Sequence, residues 1–183
     1  MAKKAKKSSG LKTILFLAAA VLGLVGFFMV FVNPLLTTVT TTIGSTTNVK
    51  EIVSEWQVIF FGTVHNADDS VTKLAAEDYA VGAMIGFFLM LGGFVTGLLS
   101  AVLARKNKTL SAVLGVLTAA LLIAGGALAF CTKTFMNLEE IPGLDLGGLV
   151  KANVKTTMTA GPIVGGLCGC VGGLAALGGA FAK

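Results

Sequence analysis

The chain has 183 residues, of which 55% are hydrophobic and 13% are charged, and its mean hydropathy is +0.88. A soluble globular domain carries about 25% charged residues, so this composition excludes an ordinary water-soluble fold. It predicts a single integral membrane domain covering residues 1–183. The net charge of +5 does not indicate nucleic-acid binding, because the basic residues cluster at the ends of apolar segments.

Four apolar segments are long enough to cross a hydrocarbon core of about 30 Å as helices. None of them contains Lys, Arg, Asp, Glu or His between its ends. Helices are expected because every backbone N–H and C=O in lipid must be satisfied within its own segment. We therefore predict an all-α membrane protein, a four-transmembrane-helix bundle with spans at about 14–32, 79–104, 110–130 and 160–182.

The first span has two features of a secretory signal peptide, namely a start rich in lysine and the small run Ala18-Ala19-Ala20. The hydrophobic region of a signal peptide is only about 7–15 residues long. Here the apolar segment continues without a break from Ile14 to Val32. We interpret it as an anchor that is not cleaved.

Lysine and arginine near the span ends predict the orientation, because cytoplasmic loops carry an excess of them. Nine of the fourteen lie in the N-terminal segment, the loop 105–109 and the tail, which contain no acidic residue. The loops 33–78 and 131–159 carry the other five and all nine Asp and Glu residues. Both termini are therefore predicted to be cytoplasmic and the two longer loops to be outside. The lack of a disulfide framework slightly favours a bacterial inner membrane.

The first outer loop is long enough for a small extracytoplasmic subdomain. Its first part, Leu35–Asn48, is rich in threonine and has Gly44-Ser45 in the middle. Threonine and valine favour extended backbone, and Gly-Ser favours a turn. This pattern predicts a short β-hairpin, with a flexible polar linker as the alternative.

The segment Val49–Phe61 has a different pattern, with apolar residues at helical spacing. We predict an amphipathic helix whose apolar face is either an interfacial or partner contact, with the tryptophan as its anchor, or a cap on the outer end of the bundle. The residues of this face that carry the prediction are Ile52, Trp56, Ile59 and Phe60.

No catalytic, cofactor or metal site is predicted, and the chain is not expected to be an enzyme. The acidic residues of the outer loops lack the converging spacing that calcium needs, and His65 is the only histidine. The spans contain no ionisable group that would mark a proton relay or an ion pathway. The cysteines lie in or at the edge of spans, so no disulfide-stapled loop is expected; they are Cys131, Cys168 and Cys170.

Glycine is the dominant pattern within the spans, since 24 of the 183 residues are glycine. Small residues at spacings of three and four let helix backbones approach closely, which is what drives helix association in lipid. This packing is either within one chain or between protomers along Gly165–Gly179. The predicted helix-packing residues are Gly82, Gly86, Gly93, Gly97, Gly165, Gly169, Gly172 and Gly179.

The order and proportions of these parts resemble the layout of the claudins and related tetraspan families. The resemblance is to proportions only, because Trp56 stands alone and the first outer loop has no cysteine pair. No function or residue role is carried over from it.

Two functions are consistent with the sequence. The first is a non-catalytic tetraspan that assembles with or modulates other membrane proteins, or copies of itself, through glycine-rich packing and its first outer loop. The second is a homo-oligomeric pore lined by small and hydroxyl residues, with carboxylates at its outer mouth selecting cations. The hydroxyl residues considered for the pore lining are Thr96, Ser100 and Thr118.

Overall fold

The computed structural model describes residues 2–32, 35–43, 46–54, 59, 63–65, 71–73, 81–135, 144–145 and 150–182. Four of its helices are long and apolar enough to cross a membrane, as predicted. The helices are α1 (Ala2–Phe28, continued by a 3-10 turn over Met29–Phe31), α2 (Val81–Leu103), α3 (Lys108–Phe130), the single turn α4 (Thr132–Phe135) and α5 (Ala160–Phe181).

Local chemistry explains where several helices begin. The apolar part of the first helix is Gly10–Phe31, but α1 itself begins at Ala2 and so includes the lysine-rich segment before the span. Asn107 caps α3, because its side-chain carbonyl accepts a hydrogen bond from the Leu110 amide at 3.1 Å. Pro162 lies in the first turn of α5, where its missing N–H costs nothing.

The four long helices form a ring in which each packs against two neighbours, in the order α1, α2, α3, α5 and back to α1. Large side chains fill the centre of the ring, with Phe16, Phe87, Met90 and Leu122 fully buried. Large apolar side chains also cover the outside, where the exposed fraction is 62% at Val102 and 64% at Leu174. A surface of this kind suits lipid rather than water, so the bundle is that of a membrane-embedded protein.

A four-stranded antiparallel sheet lies beyond one end of the bundle, in the order β2-β1-β6-β5. Strand β1 is central and pairs along its whole length with both β2 and β6. A separate pair, β3 with β4, is also antiparallel. The strands are β1 (Leu35–Ile43), β2 (Thr46–Ser54), β3 (Thr63–His65), β4 (Val71–Lys73), β5 (Leu144–Asp145) and β6 (Val150–Met158).

The helix predicted over Val49–Phe61 is wrong for its first half, because β2 runs to Ser54. The hairpin predicted from the sequence ends at Asn48, whereas nine residues of β2, as far as Ser54, pair with nine of β1. Val49, Ile52 and Val53 are β-branched and fit a pleated strand as well as a helix face. The adjacent strand β1 offers backbone partners along the whole segment, so pairing outweighs the helical spacing.

The sheet joins the two loops that the sequence analysis treated separately. Strand β1 follows α1, and β6 leads directly into α5. Because α1 and α5 are neighbours in the ring, the two strands emerge side by side and pair from Leu35 opposite Met158 to Ile43 opposite Val150. The two central strands of the sheet are therefore direct continuations of the neighbouring helices α1 and α5.

Candidate functional site: the sheet end of the bundle

The two ends of the bundle differ in chemistry. The sheet end is where α1 ends and α5 begins, and it carries the four-stranded sheet. The basic end, at the opposite pole, carries Lys12 and the turn between α2 and α3, with Arg105, Lys106 and Lys108. The charged residues of the four long helices therefore lie at the basic end, and the belt between the two ends is apolar.

One face of the sheet is exposed near β2 and β6. The strand register places Thr40, Thr47, Val49, Lys155 and Thr157 on this face, and we call these five residues the exposed sheet face. Val49 is 60% exposed, and Thr47, Lys155 and Thr157 are also exposed, while Thr40 is half-buried. Hydroxyls, one apolar side chain and one cation thus lie together on a regular backbone surface.

The opposite face of the sheet turns toward the bundle at its base. Met158, which alternates with Thr157 along β6, is partly buried and packs against the bundle core. Side chains alternate between the two faces of a strand, so this contact directs Lys155 and Thr157 away from the bundle. The exposed sheet face is therefore directed away from the bundle, while Thr46 and Asn48 of the opposite face, farther from its base, are also exposed.

Of the four residues predicted as an interfacial or partner contact, Ile59 is buried. Its exposed fraction is 2%, and it lies in the core cluster with Val30, Ala83 and Phe87. This position is the one expected of a cap on the bundle end and leaves no surface for a partner. Ile52 lies in β2, and Trp56 and Phe60 lie outside the described residues.

The four predicted packing glycines of α5 lie against α1 and α3 of the same chain. A Cβ built on Gly169 would lie 2.7 Å from the Leu122 carbonyl oxygen and 2.8 Å from the Gly126 Cα. A Cβ on Gly165 would lie 3.2 Å from the Gly26 carbonyl oxygen, and one on Gly179 2.9 Å from the Phe16 ring.

A Cβ on Gly172 would lie 3.1 Å from both Leu22 and Leu122. All four of these predicted packing glycines are buried. A contact between protomers along Gly165–Gly179 would therefore require the bundle to open.

The four predicted packing glycines of α2 are also adjacent to residues of the same chain. A Cβ on Gly82 would meet the Phe135 ring, and one on Gly93 would meet Leu122. At Gly86 the obstacles include the Gly125 carbonyl oxygen at 3.1 Å, and at Gly97 they include Ala20 at 3.2 Å. Close approach of backbones thus holds the ring together, as expected where hydrophobicity cannot drive helix association.

The hydroxyl residues considered for a pore lining lie inside the α2–α3 contact. The Ser111 hydroxyl donates to the Ser100 carbonyl oxygen at 2.8 Å, and the hydroxyls of Thr118 and Thr96 are hydrogen-bonded at 2.9 Å. Ser100 and Thr118 are fully buried. Such bonds between membrane helices contribute about 0.6 kcal/mol each. The hydroxyls of Thr96, Thr118 and Ser111 join the two helices, whereas the Ser100 hydroxyl donates to the Thr96 carbonyl oxygen within α2 at 2.8 Å. The pore lining remains a prediction.

The sequence analysis missed an aromatic cluster near the sheet end. Phe27 contacts Phe28, Phe31 and Phe88 with ring centroids 5.5, 6.0 and 6.4 Å apart. Phe28 and Phe88 are 53% and 51% exposed, so the cluster faces the lipid side. The sequence shows that Phe27, Phe28 and Phe31 are spaced along one helical face. It does not show that Phe88 of α2 is their partner.

Across the described part of the chain, no group of three or more His, Cys, Asp and Glu residues is placed to hold a metal ion. His65 lies in β3, and the acidic residues at 55, 68–69, 77–78 and 139–140 lie outside the described residues. The predicted absence of cofactors and metals remains a prediction.

Comparison with known proteins gives no functional guidance. No protein-family model matches the chain, and no curated protein is significantly similar to it.

Proposed function

We propose that this chain is a non-catalytic four-span membrane protein that assembles with or modulates another membrane protein through its sheet end. The bundle is the platform, and the exposed sheet face is the recognition surface. The sequence offers no nucleophile with a base and no phosphate-binding loop, and its carboxylates are scattered through the loops, which is why the proposal is not an enzyme.

The observation that carries the proposal is the position of the packing glycines. All eight lie against residues of their own chain, which leaves an apolar belt suited to lipid. The exposed sheet face offers hydroxyls, an apolar side chain and a cation, which can hydrogen-bond to and pack against another protein. The glycine seams accordingly belong to the fold of one chain, and partner selection belongs to the sheet.

The same proposal includes an orientation. The charge distribution, nine cations without an acid at one end and nine acids with five cations at the other, supports cytoplasmic termini and a sheet outside the membrane. A bacterial inner membrane is the proposed location. In that arrangement the partner is reached through its own part outside the cytoplasm.

Site-specific photo-crosslinking in native membranes tests the proposal. Benzoylphenylalanine placed at Val49 or Lys155 on the exposed sheet face is expected to give a defined adduct with another protein. The matched controls are Val113 and Leu174, which are 61% and 64% exposed on the lipid side of the bundle. These positions are expected to give lipid adducts without a defined protein band.

The opposite pattern would refute the proposal. Protein adducts at Val113 and Leu174 with none at Val49 and Lys155 would place the recognition surface within the bilayer. Mass spectrometry of the adduct then identifies the partner.

A further inference from the structure

The basic end of the bundle gathers exposed cations around the turn between α2 and α3. Arg105, Lys106 and Lys108 are exposed, and Lys12 on α1 is half-buried. A small cluster, in which Phe16 of α1 packs with Ala101, Ala104 and Ala180, fixes this end of the ring. Lys12 lies one helical turn before Phe16, so it sits at the same level as the turn.

Among the described residues the acidic ones are Glu51 in β2 and Asp145 in β5, both at the sheet end. All nine Asp and Glu residues lie between positions 51 and 145 in the two loops connected to the sheet end. Helix α2 has 23 residues and separates the two ends by about 35 Å. Interactions between exposed charges are largely screened beyond about 8–10 Å at physiological salt. The exposed cations are therefore available to an anionic group of another molecule.

We propose that the basic end binds the headgroup phosphate of an anionic phospholipid, with Arg105, Lys106 and Lys108 as the contacting residues. The turn connects two membrane-spanning helices directly, so its side chains lie at the depth of lipid headgroups. Arginine binds the oxygens of a phosphate through two parallel hydrogen bonds, and lysine contributes point charge. The N-terminal part of α1 begins at Ala2 and adds four lysines at the same end.

A lipid fits these observations better than a soluble acidic partner. The three contacting residues lie within four positions of the chain, which is the scale of one or two headgroups. Lipid is also present beside the bundle at all times, whereas a soluble macromolecule would have to approach the same plane. This inference is independent of the recognition surface proposed for the sheet end.

Native mass spectrometry of the full chain in mild detergent tests the proposal. The protein is titrated with phosphatidylglycerol and, separately, with zwitterionic phosphatidylcholine of the same acyl chains. We expect the protein to retain phosphatidylglycerol in preference to phosphatidylcholine. Affinity is expected to fall about fivefold for each cation removed, hence about a hundredfold in R105Q/K106Q/K108Q.

Single-charge variants provide the matched control. Lys106→Gln is expected to weaken phosphatidylglycerol binding about fivefold, whereas Lys155→Gln, which removes an exposed cation at the sheet end, is expected to leave it unchanged. All three contacting residues are exposed, so the variants should keep the melting profile of the parent protein. If the triple variant loses the parent's melting profile, the comparison of Lys106→Gln with Lys155→Gln tests whether the basic end selects phosphatidylglycerol.

Four results would overturn the proposal. Equal retention of the two lipids, or unchanged affinity in Lys106→Gln, would show that the cations do not select an anionic headgroup. Displacement of the lipid by an equal concentration of inorganic phosphate would assign the surface to soluble anions. Displacement by a short RNA oligonucleotide at equal phosphate concentration would assign it to nucleic acid.

Discussion

Replacing Gly169 with isoleucine is expected to prevent the bundle from closing. At this position even a Cβ would lie 2.7 Å from the Leu122 carbonyl oxygen and 2.8 Å from the Gly126 Cα. Both obstacles are backbone atoms of α3, which cannot move aside as a side chain can. Gly169→Ala, a milder change, is expected to cost about 1–3 kcal/mol as an overpacking substitution, and the isoleucine substitution more.

Gly178 provides the control on the same helix. The nearest atom to a Cβ built there is the Leu15 Cδ1 at 3.7 Å, which is ordinary contact. Gly178→Ala is therefore expected to stabilise the helix by about 0.5–1 kcal/mol, because alanine restricts the unfolded chain more than glycine does. The free energies of unfolding of Gly169→Ala and Gly178→Ala are both measured in mixed micelles. Equal effects at positions 169 and 178 would contradict the close α3–α5 contact.

A cross-strand disulfide is expected to form in high yield between cysteines placed at Thr40 and Asn153. These positions are directly opposite in the register of β1 and β6. Opposed Cα atoms in an antiparallel pair are about 4.5–5.5 Å apart, and disulfides accept about 4.4–6.8 Å. In a background lacking Cys131, Cys168 and Cys170, mild oxidation should give a faster band on non-reducing gels that is reversed by a reductant.

The control pair for this experiment is Thr40→Cys with Thr157→Cys. Thr157 lies on the same face of β6 but four residues farther along, or about 13 Å away. It should not form a disulfide. Cross-linking of the control pair with none at Thr40 and Asn153 would mean that the two loops are not joined in this register.

The spans could be predicted because length and apolarity are local properties of a sequence. The apolar part of the first helix, Gly10–Phe31, differs from the predicted 14–32 only at its ends. The α3 helix likewise begins at Lys108 rather than 110, because the Asn107 cap stabilises the turn before the first apolar residue. Boundaries depend on such single contacts.

The sheet could not be predicted in the same way, because its partners are far apart in the chain. Val39 pairs with Val154, and nothing in the local pattern of either segment identifies the other. The alternation Val150, Ala152, Val154 and Met158 is a strand signal that the sequence analysis did not use. Once β1 has such partners on both sides, the helical spacing from Val49 onward no longer decides the structure.

The glycine pattern identified packing helices but could not identify their neighbours. Spacing along α5 is equally suited to a helix of the same chain and to one of a second protomer. In the bundle α1 and α3 lie on either side of α5 and meet Gly165 and Gly169 respectively, which favours packing within one chain. Of the two parts predicted to contact a partner, the glycine seams and the first outer loop, the proposed recognition surface keeps the second.

The mass of the purified protein in mild detergent tests most directly whether the glycine seams are used within one chain. Native mass spectrometry, or light scattering corrected for bound detergent, is expected to give a monomer of 18.6 kDa. A discrete ring of four or more copies would contradict the proposal that the glycine seams are used within one chain. It would place protomer contacts on the bundle and favour a pore over a partner-binding sheet.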